Sequence, residues 1–430
     1  MSRYKISIFI IVFFFGFSLW ILFKDKKHEC LLILNSKYFD YKSGSYILNK
    51  IIVISNALIT DIVDSNSFES LDKNCLSVDL KGHFLYPGLI DAHTHLLAVD
   101  RQKVVGWKSA LELSAERPSM MRLFIGEKNA KSMLLAGFTT VRELGNSGQY
   151  LDEKLNLRIT NNISLGPEII TSGPGIAIYT SQINSNAKKE EYTIVNSQSD
   201  IDQVLLKYKS HNVSWIKLYA DNSAVNSIIS LDLLKSITRK AQALKFKVAI
   251  HAEYNQSVQM ALLARPDSIE HFYEIPAHDV SNNINTPFVV ITDNSLNTCE
   301  NSFIVNNCFE KIKSLKNRLE WLRREGYKIV FGSDAVLDFT FNFKNRGDAS
   351  LSSLISLTQI GLSPLETLLS ATVTSADMLA LPIGKIEKDY MANLVAFYSD
   401  PLINIENIKN RDLVVFKGKI VCKGSNECQP

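Results

Sequence analysis

The sequence lacks two patterns that would point to common classes of protein. It has no Cys-X-X-Cys pair among its six cysteines, which excludes a zinc module built on that spacing. It also has no basic stripe interleaved with aromatic side chains, and its formal net charge is only +3. This balance argues against a nucleic-acid partner. With 46% hydrophobic and 21% charged residues, the chain is expected to be globular, and its function has to be inferred from a site.

An uncharged run extends from Ile6 to Phe23 at the amino terminus. As a helix it would be long enough to cross a bilayer core of about 30 Å. Basic residues flank both of its sides, so their positions do not fix an orientation. We predict an uncleaved signal-anchor, a transmembrane helix, within 1–29. A cleaved export signal, which would give a secreted protein, is the second choice, and a buried soluble helix is the third.

The cysteine count supports an extracytoplasmic location, at the cell surface or in a periplasm. An even number of cysteines suits an oxidising compartment, and two pairs are close in sequence. We therefore expect up to three disulfides in a membrane-anchored protein, with reduced, buried cysteines as the alternative. The six residues are Cys30, Cys75, Cys299, Cys308, Cys422 and Cys428.

From Tyr86 onward, apolar segments of strand length alternate with segments of helical periodicity. Several of the strand segments are continuously apolar, as expected of parallel strands that are buried on both faces. Eight such units predict an α/β fold, a (β/α)8 TIM-type barrel. The candidate strands are 85–93, 138–142, 168–172, 214–219, 246–251, 267–271, 287–291 and 328–334.

Short strand-like segments precede and follow this region, and we expect both chain ends to complete one composite β-sandwich domain. The predicted domains are the transmembrane segment 1–29, the amino-terminal portion of the sandwich 30–85, the barrel 86–385 and the carboxy-terminal portion of the sandwich 386–430. Within the barrel, the polar stretch 178–200 is predicted to be a mobile loop over the mouth.

Two predicted helices have clear boundary or face signals. Apolar residues recur at a three-four spacing from 309 to 322, and Gly326 is expected to end that helix. Ser363-Pro-Leu-Glu366 has the form of a capping box with proline in the first turn.

The clearest chemical signal is the pair His93 and His95, which follows Pro87-Gly88 and an apolar strand segment. On a strand, residues i and i+2 point to the same side, so both imidazoles would reach one point. Such a pair can hold a divalent metal ion. A single His-X-His is more often two histidines without a shared function, so the interpretation needs further ligands.

Further ligand-type residues fall at the predicted ends of later strands, where barrel enzymes place their catalytic groups. Each has an ordinary alternative when taken alone: the lysine could reach solvent, and the aspartate could cap a helix. Together with the first pair they predict one metal site. These residues are Lys217, His251, His271 and Asp334.

With these motifs in this order, the chain resembles the amidohydrolase superfamily, in particular its imidazolonepropionase-related and Xaa-Pro dipeptidase-like branch. The resemblance extends over roughly residues 81–419. It rests on Pro87-Gly-Leu-Ile-Asp-Ala-His-Thr-His95, Gly137-Phe-Thr-Thr-Val-Arg142, Gly166-Pro167, Ser172-Gly-Pro-Gly175, Trp215-Ile-Lys217, the two later histidine strands, Gly332-Ser-Asp334 and Gly361-Leu-Ser-Pro-Leu-Glu366.

The resemblance implies a centre of two divalent metal ions, with zinc expected. His93 and His95 would hold the more buried ion, and His251 and His271 the more exposed one. Lys217 would be carboxylated by carbon dioxide and bridge both, because an ammonium group has no lone pair to donate.

In that scheme a metal-bridging hydroxide, formed from a water with a pKa of about 7, attacks the carbonyl of an amide. Asp334 would bind a metal, take the proton and return it to the leaving nitrogen, as a general base and then a general acid.

Two residues are candidates for substrate contact. Arg142 could meet a substrate carboxylate, or it could form an ion pair with Glu143 or another barrel carboxylate. Tyr219 shares the face of Lys217 and could reach substrate, or it could pack in the core. Ile178-Tyr-Thr-Ser181 stands where relatives have a Gly-Gly-His stretch, so the dipeptidase substrate does not transfer directly.

The sequence therefore predicts a hydrolase of carbon–nitrogen bonds other than ordinary peptide bonds. The expected partners are a small-molecule amide (a cyclic amide or a dipeptide-like one), the membrane and, as a possibility, further copies of the chain. The alternatives are a mononuclear, deaminase-like hydrolase and a catalytically inactive envelope module.

Overall fold

The computed structural model describes residues 30–71, 74–99, 110–145, 147–178, 189–222, 227–276, 287–292, 305–335 and 344–429. The predicted transmembrane segment 1–29 lies outside these residues. None of the described helices is long and apolar enough to cross a membrane. The membrane part of the predicted fold is therefore corrected, and with it the membrane-anchored, extracytoplasmic location. The prediction of a spanning helix rested on the length and apolar character of one segment.

The amino-terminal part of the described chain forms short strands. Strand ends in this region coincide with asparagine or glycine in left-handed backbone conformations, as in tight turns. The strands are β1 (Cys30–Leu34), β2 (Lys37–Asp40), β3 (Ser45–Ile47), β4 (Lys50–Ser55), β5 (Leu58–Asp64), β6 (Leu76–Asp79) and β7 (Phe84–Pro87).

The middle of the chain alternates strands and helices. Its strands are β8 (Leu89–Thr94), β9 (Phe138–Glu143), β10 (Glu168–Ile170), β11 (Gly175–Ala177), β12 (Tyr192–Ile194), β13 (Trp215–Tyr219), β14 (Asp221–Asn222), β15 (Ser227–Ile228), β16 (Lys247–Ala252), β17 (Ser268–His271), β18 (Phe288–Ile291) and β19 (Lys328–Phe331).

The helices of the middle region are α1 (Ala110–Ala115), α2 (Ser119–Leu135), α3 (Leu151–Thr160), α4 (Gln198–Lys209), α5 (Leu231–Ala243), α6 (Asn255–Ala264), α7 (Val305–Arg324), α8 (Arg346–Ser356), α9 (Pro364–Ser370) and α10 (Val373–Leu379). The chain then forms β20 (Leu394–Phe397), β21 (Arg411–Phe416) and β22 (Lys419–Lys423).

Strands from both chain ends share one sheet. The order of this six-stranded sheet is β22-β21-β20-β7-β2-β3, and a four-stranded sheet has the order β5-β4-β1-β6. Aliphatic side chains from both sheets pack against each other, including Ile33 and Ile52 on one side and Leu85 and Leu413 on the other. Disulfides join Cys30 to Cys75 and Cys422 to Cys428. Cys299 lies outside the described residues.

The barrel strands pair in parallel as two sheets, β10-β9-β8 and β12-β11-β13-β16-β17-β18-β19. The third predicted segment, 168–172, contains β10, which pairs with β9, and the sheet continues through the separate strand β11, which pairs with β13. The backbone N–H of Asp334 donates to the carbonyl of His93 at 2.8 Å, which joins the end of the last strand to the first. All eight predicted strand segments thus contain observed strands.

Local predictions for the helices were largely right. The apolar stripe lies on α7, and the capping box at the start of α9 is formed, since the Ser363 hydroxyl accepts a hydrogen bond from the backbone N–H of Glu366 at 3.2 Å. The predicted mobile loop 178–200 was wrong in part: β12 lies within it and α4 begins at Gln198. The three residues Tyr192 to Ile194 form β12 by pairing in parallel with β11.

Candidate active site

The carboxyl ends of the first, sixth and eighth barrel strands approach one another closely. A Cβ atom on Gly332 would lie 2.6 Å from the Cβ of His93, so only glycine allows this contact. His271 and Asp334 have positive φ angles of 72° and 47°. Such conformations are uncommon outside glycine and often mark functional positions. The backbone therefore turns these two side chains inward at the end of their strands.

His93, His95 and Asp334 are in direct contact. The Nε2 atom of His95 lies 2.9 Å from Oδ1 of Asp334, and Nε2 of His93 lies 3.8 Å from the same oxygen. Nδ1 of His271 is 4.0 Å from Oδ2 of Asp334. One ligand atom from each of His93, His271 and Asp334 lies within 4.8 Å of the others. These distances suit a shared cation with nitrogen and oxygen ligands.

His251 adjoins this group through His271, since their ring centroids are 4.4 Å apart. Its Nε2 atom faces two acidic side chains, Asp221 at 3.0 Å and Glu253 at 3.7 Å. These three residues form a second group with metal-ligand spacing. The described residues thus include two neighbouring groups of potential metal ligands.

Lys217 is almost fully buried in β13, two residues before Tyr219. Burial lowers the pKa of its ammonium to about 8, although the negative charges of Glu270 and Asp334 act in the opposite direction. Its Nζ atom lies 5.3 Å from the centre of the Tyr219 ring. A larger fraction of this amine than of an exposed lysine is therefore neutral near physiological pH.

The buried imidazoles are held neutral. Burial, followed by the charge of Lys217, lowers the pKa of His93 to about 4, and burial lowers the pKa of His271 well below its usual value. For Asp334 burial alone would raise the pKa, but the adjacent histidines outweigh it, and the pKa lies well below the ordinary value. Neutral imidazoles and an ionised carboxylate are the forms that bind metals.

Arg142 does not extend toward the mouth of the site. It is fully buried and donates to the carbonyl oxygen of Ala92 at 2.7 Å, to Oγ of Ser268 at 3.0 Å and to Oε1 of Glu270 at 2.9 Å. Of the two alternatives, the observed one is the ion pair with a barrel carboxylate, and this carboxylate is Glu270. The guanidinium thus donates hydrogen bonds to three protein acceptors.

Tyr219 is partly buried beside the site. Its ring centroid is 5.3 Å from that of His251 and 5.5 Å from that of Tyr192. A Cβ atom on Gly175 would lie 2.4 Å from Cε2 of this ring, so that glycine makes room for it, and one on Gly145 would lie 3.1 Å from the Tyr219 hydroxyl. The position is compatible with substrate contact and equally with packing.

Sequence reasoning missed four residues next to the predicted ligands. Glu270 precedes His271, Asp221 follows Lys217 by four positions, and Glu253 follows His251 by two. The fourth is Thr292, whose Oγ1 lies 2.5 Å from Nδ1 of His271. For the three acidic residues, nearness in sequence to a predicted ligand was a usable signal, but the sequence does not reveal which strand each one faces.

Parallel barrel strands whose carboxyl ends carry histidines in contact with a carboxylate define a barrel enzyme with a candidate metal centre. Residues 84–421 match the model of the amidohydrolase family, and the chain belongs to that family. It is accordingly a hydrolase that acts on carbon–nitrogen bonds, in a family that is generally metal-dependent.

Curated relatives are similar over most of their length. The chain is 24% identical over 378 residues to an imidazolonepropionase of Fusobacterium nucleatum subsp. nucleatum, which covers 80% of this chain and 84% of the relative. It is 22% identical over 366 residues to an imidazolonepropionase of Pyrobaculum arsenaticum, with the same two coverages.

Solved structures share the fold. A Xaa-Pro dipeptidase with bound methionine has a TM-score of 0.73 at 22% identity and covers 92% of this chain and 100% of its own. Phenylurea hydrolase B has a TM-score of 0.76 at 18% identity, with coverages of 91% and 96%. At these identities the similarity establishes the fold, not the substrate.

Proposed function

We propose that this protein hydrolyses a carbon–nitrogen bond in a small cyclic amide or dipeptide-like amide, with two bound divalent ions and Asp334 as general base and general acid. The observation that carries the proposal is the contact of the Asp334 carboxylate with His95 and His93. Its relatives named imidazolonepropionases and the fold shared with a Xaa-Pro dipeptidase support these two substrate classes.

The residues present fit metal ions of the zinc type. The donor set consists of imidazole nitrogens and carboxylate oxygens, which zinc prefers. His93, His95 and Asp334 would hold one ion, and His251 and His271 the other. Lys217 would bridge them once its buried amine is carboxylated. When bound, the ions would polarise the substrate carbonyl and lower the pKa of a water to about 7.

The chain itself supplies proton transfer and exclusion of water. The side chain of Asp334 is about a quarter exposed, whereas His93 is 1% exposed, so the carboxylate is the part of this group that a substrate can reach. The carboxylate is ionised, and it would accept a proton from the attacking water and pass it to the leaving nitrogen. Tyr219 would line one wall of the substrate space.

The test is a metal analysis combined with a substrate screen of the same preparation. We expect two ions per chain and zinc-dependent opening of cyclic amides or cleavage of N-acyl amino acids. One ion per chain, with release of ammonia from a ring amine, would favour the mononuclear, deaminase-like alternative. Hydrolysis that survives complete removal of metal would contradict the proposal.

A further inference from the structure

Two of the proposed metal-binding histidines each face a buried carboxylate with one ring nitrogen. Nδ1 of His93 lies 2.8 Å from Oε2 of Glu270, and Nε2 of His251 lies 3.0 Å from Oδ1 of Asp221. The two contacts use different nitrogens of the ring. Since a neutral imidazole carries one proton, a carboxylate at one nitrogen places the proton there and leaves a lone pair on the other.

Glu270 is held rigidly enough to orient a ring. It is fully buried, and its other oxygen, Oε1, accepts hydrogen bonds from Arg142 at 2.9 Å and from the Ser268 hydroxyl at 2.5 Å. Arg142 is itself anchored on the carbonyl of Ala92 in β8. The carboxylate is therefore fixed relative to the strand that carries His93.

Asp221 is held by hydrogen bonds from the backbone. It is 3% exposed, and its Oδ2 atom accepts from the backbone N–H groups of Glu253 at 3.1 Å and Tyr254 at 3.4 Å. These amides belong to the loop that follows the strand of His251. Its Oδ1 atom lies 3.0 Å from Nε2 of the imidazole and has no other hydrogen-bond partner among the described residues.

We propose that Glu270 and Asp221 are positioning residues that fix the orientation and tautomer of their histidines. His93 would present Nε2 to one metal ion, and His251 would present Nδ1 to the other. The inference rests on the proposed function, because it concerns ligands of the proposed metal centre. Mutation of a residue that hydrogen-bonds a metal-binding histidine typically lowers metal affinity about 10- to 100-fold.

The same distances would also allow Asp221 to bind a metal itself, together with His251 and Glu253. Two backbone N–H groups occupy its Oδ2 atom, so Oδ1 is the oxygen left either to orient the ring or to bind an ion. The two roles predict different results when the charge of Asp221 is removed. If Asp221 positions the ring, the second ion binds more weakly. If Asp221 is a ligand, the second ion no longer binds.

The first experiment uses the unaltered, metal-free protein with ¹⁵N-labelled histidine. We expect the His251 ring to be protonated at Nε2 and the His93 ring at Nδ1, as reported by the nitrogen shifts. Signals are assigned by their loss in His251→Gln and His93→Gln. Protonation of His251 at Nδ1, or of His93 at Nε2, would overturn the proposal without involving activity.

The second experiment measures zinc affinity by competition with a chromophoric chelator in Asp221→Asn. We expect one of two ions to bind about 10- to 100-fold more weakly, and the other to be unchanged. Asp267→Asn is the matched control, because Asp267 accepts from the backbone N–H of Val248 at the other end of β16 and contacts no ligand. Equal affinities in Asp221→Asn and the control, or complete loss of one ion, would refute the positioning role.

The two hypotheses fail in different ways. If the unaltered protein binds no divalent ion, the proposed function is wrong. If it binds two ions and Asp221→Asn behaves like the control, only the positioning role is wrong. Glu270→Gln is unsuitable as the main test, since it would also leave the Arg142 cation buried without its partner.

Discussion

Aliphatic side chains meet between the two sheets built from the chain ends, whereas the barrel encloses charged ones. Ile52 and Leu413 are typical of the first region and are fully buried. In the barrel, Arg142, Lys217 and Glu270 are equally inaccessible, at 0 to 1% exposure. Burial of a charge is costly unless it is paired. The barrel therefore buries charged side chains, at a cost in stability, at the strand ends where the proposed chemistry takes place.

This contrast predicts that stability depends on residues of one region and that activity depends on residues of the other. Loss of volume between the sheets should lower stability and leave the chemistry intact. Loss of a charge at the strand ends should lower turnover, metal affinity or both. Substitutions in each region can test whether the separation holds.

The largest expected effect is that of Asp334→Asn. An amide is not a base, so kcat should fall by about 10²- to 10⁴-fold, while the fold is retained because the side chain is partly exposed. Turnover and thermal unfolding are measured on the same material. Asp389→Asn, in the exposed turn before β20, is the control. A near-native rate for Asp334→Asn would remove the proposed role.

Leu413→Ala should destabilise the packing between the two sheets. Leu413 is fully buried between the sheets, so its truncation should reduce the free energy of unfolding by about 2–5 kcal/mol. The kcat at a temperature where the variant is folded should stay close to that of the parent protein. Ile403→Ala, at a residue that is 83% exposed, should change neither quantity. A large loss of kcat in Leu413→Ala would show that the two regions are coupled.

Lys217 offers a test by pH. Carbon dioxide reacts with the neutral amine, and burial lowers the pKa of Lys217 to about 8. The lowered pKa means that the neutral form gains population as pH rises toward 8. At a fixed concentration of dissolved carbon dioxide, reactivation of metal-free protein by zinc should accelerate about 10-fold per pH unit below that value and level off above it.

Lys217→Arg provides the control for this experiment, because a guanidinium stays charged. Reactivation that is independent of carbon dioxide in the unaltered protein would contradict carboxylation.

The smallest expected effect is at the start of α9. Ser363→Ala removes the acceptor for the Glu366 N–H and should cost about 1 kcal/mol of unfolding free energy. Equilibrium denaturation measures it, and kcat should not change. An unchanged denaturation midpoint would mean that the cap contributes no stability in this context.

The sequence was sufficient for features that depend on local order. Strand ends with ligand-type residues, the helix stripe on α7 and the capping box at Ser363 follow from spacing and residue type, and the structure contains them. The roles of His93 and the other ligands came from resemblance and remain predictions. The membrane segment was wrong because hydropathy alone does not establish a spanning helix.

Features that depend on contacts between distant strands were not predictable. Arg142 could have paired with several carboxylates, and only the folded register places Glu270, 128 positions later, beside it. Likewise, nothing in the spacing from Lys217 shows that Asp221 faces His251, which lies on the neighbouring strand. Both partners lie close in sequence to a predicted ligand but contact a different one.

The short connection at Gly88 has a consequence for how the site is completed during synthesis. Strand β7 continues through this residue into β8, and a Cβ atom there would lie 2.2 Å from Oγ1 of Thr139. The base of the strand that carries His93 is therefore set by the pairing of β7 with β20, residues Leu394–Phe397. A nascent chain on the ribosome holds its first histidine pair long before that partner strand exists. Maturation of the site is thus tied to the release of nearly the whole chain.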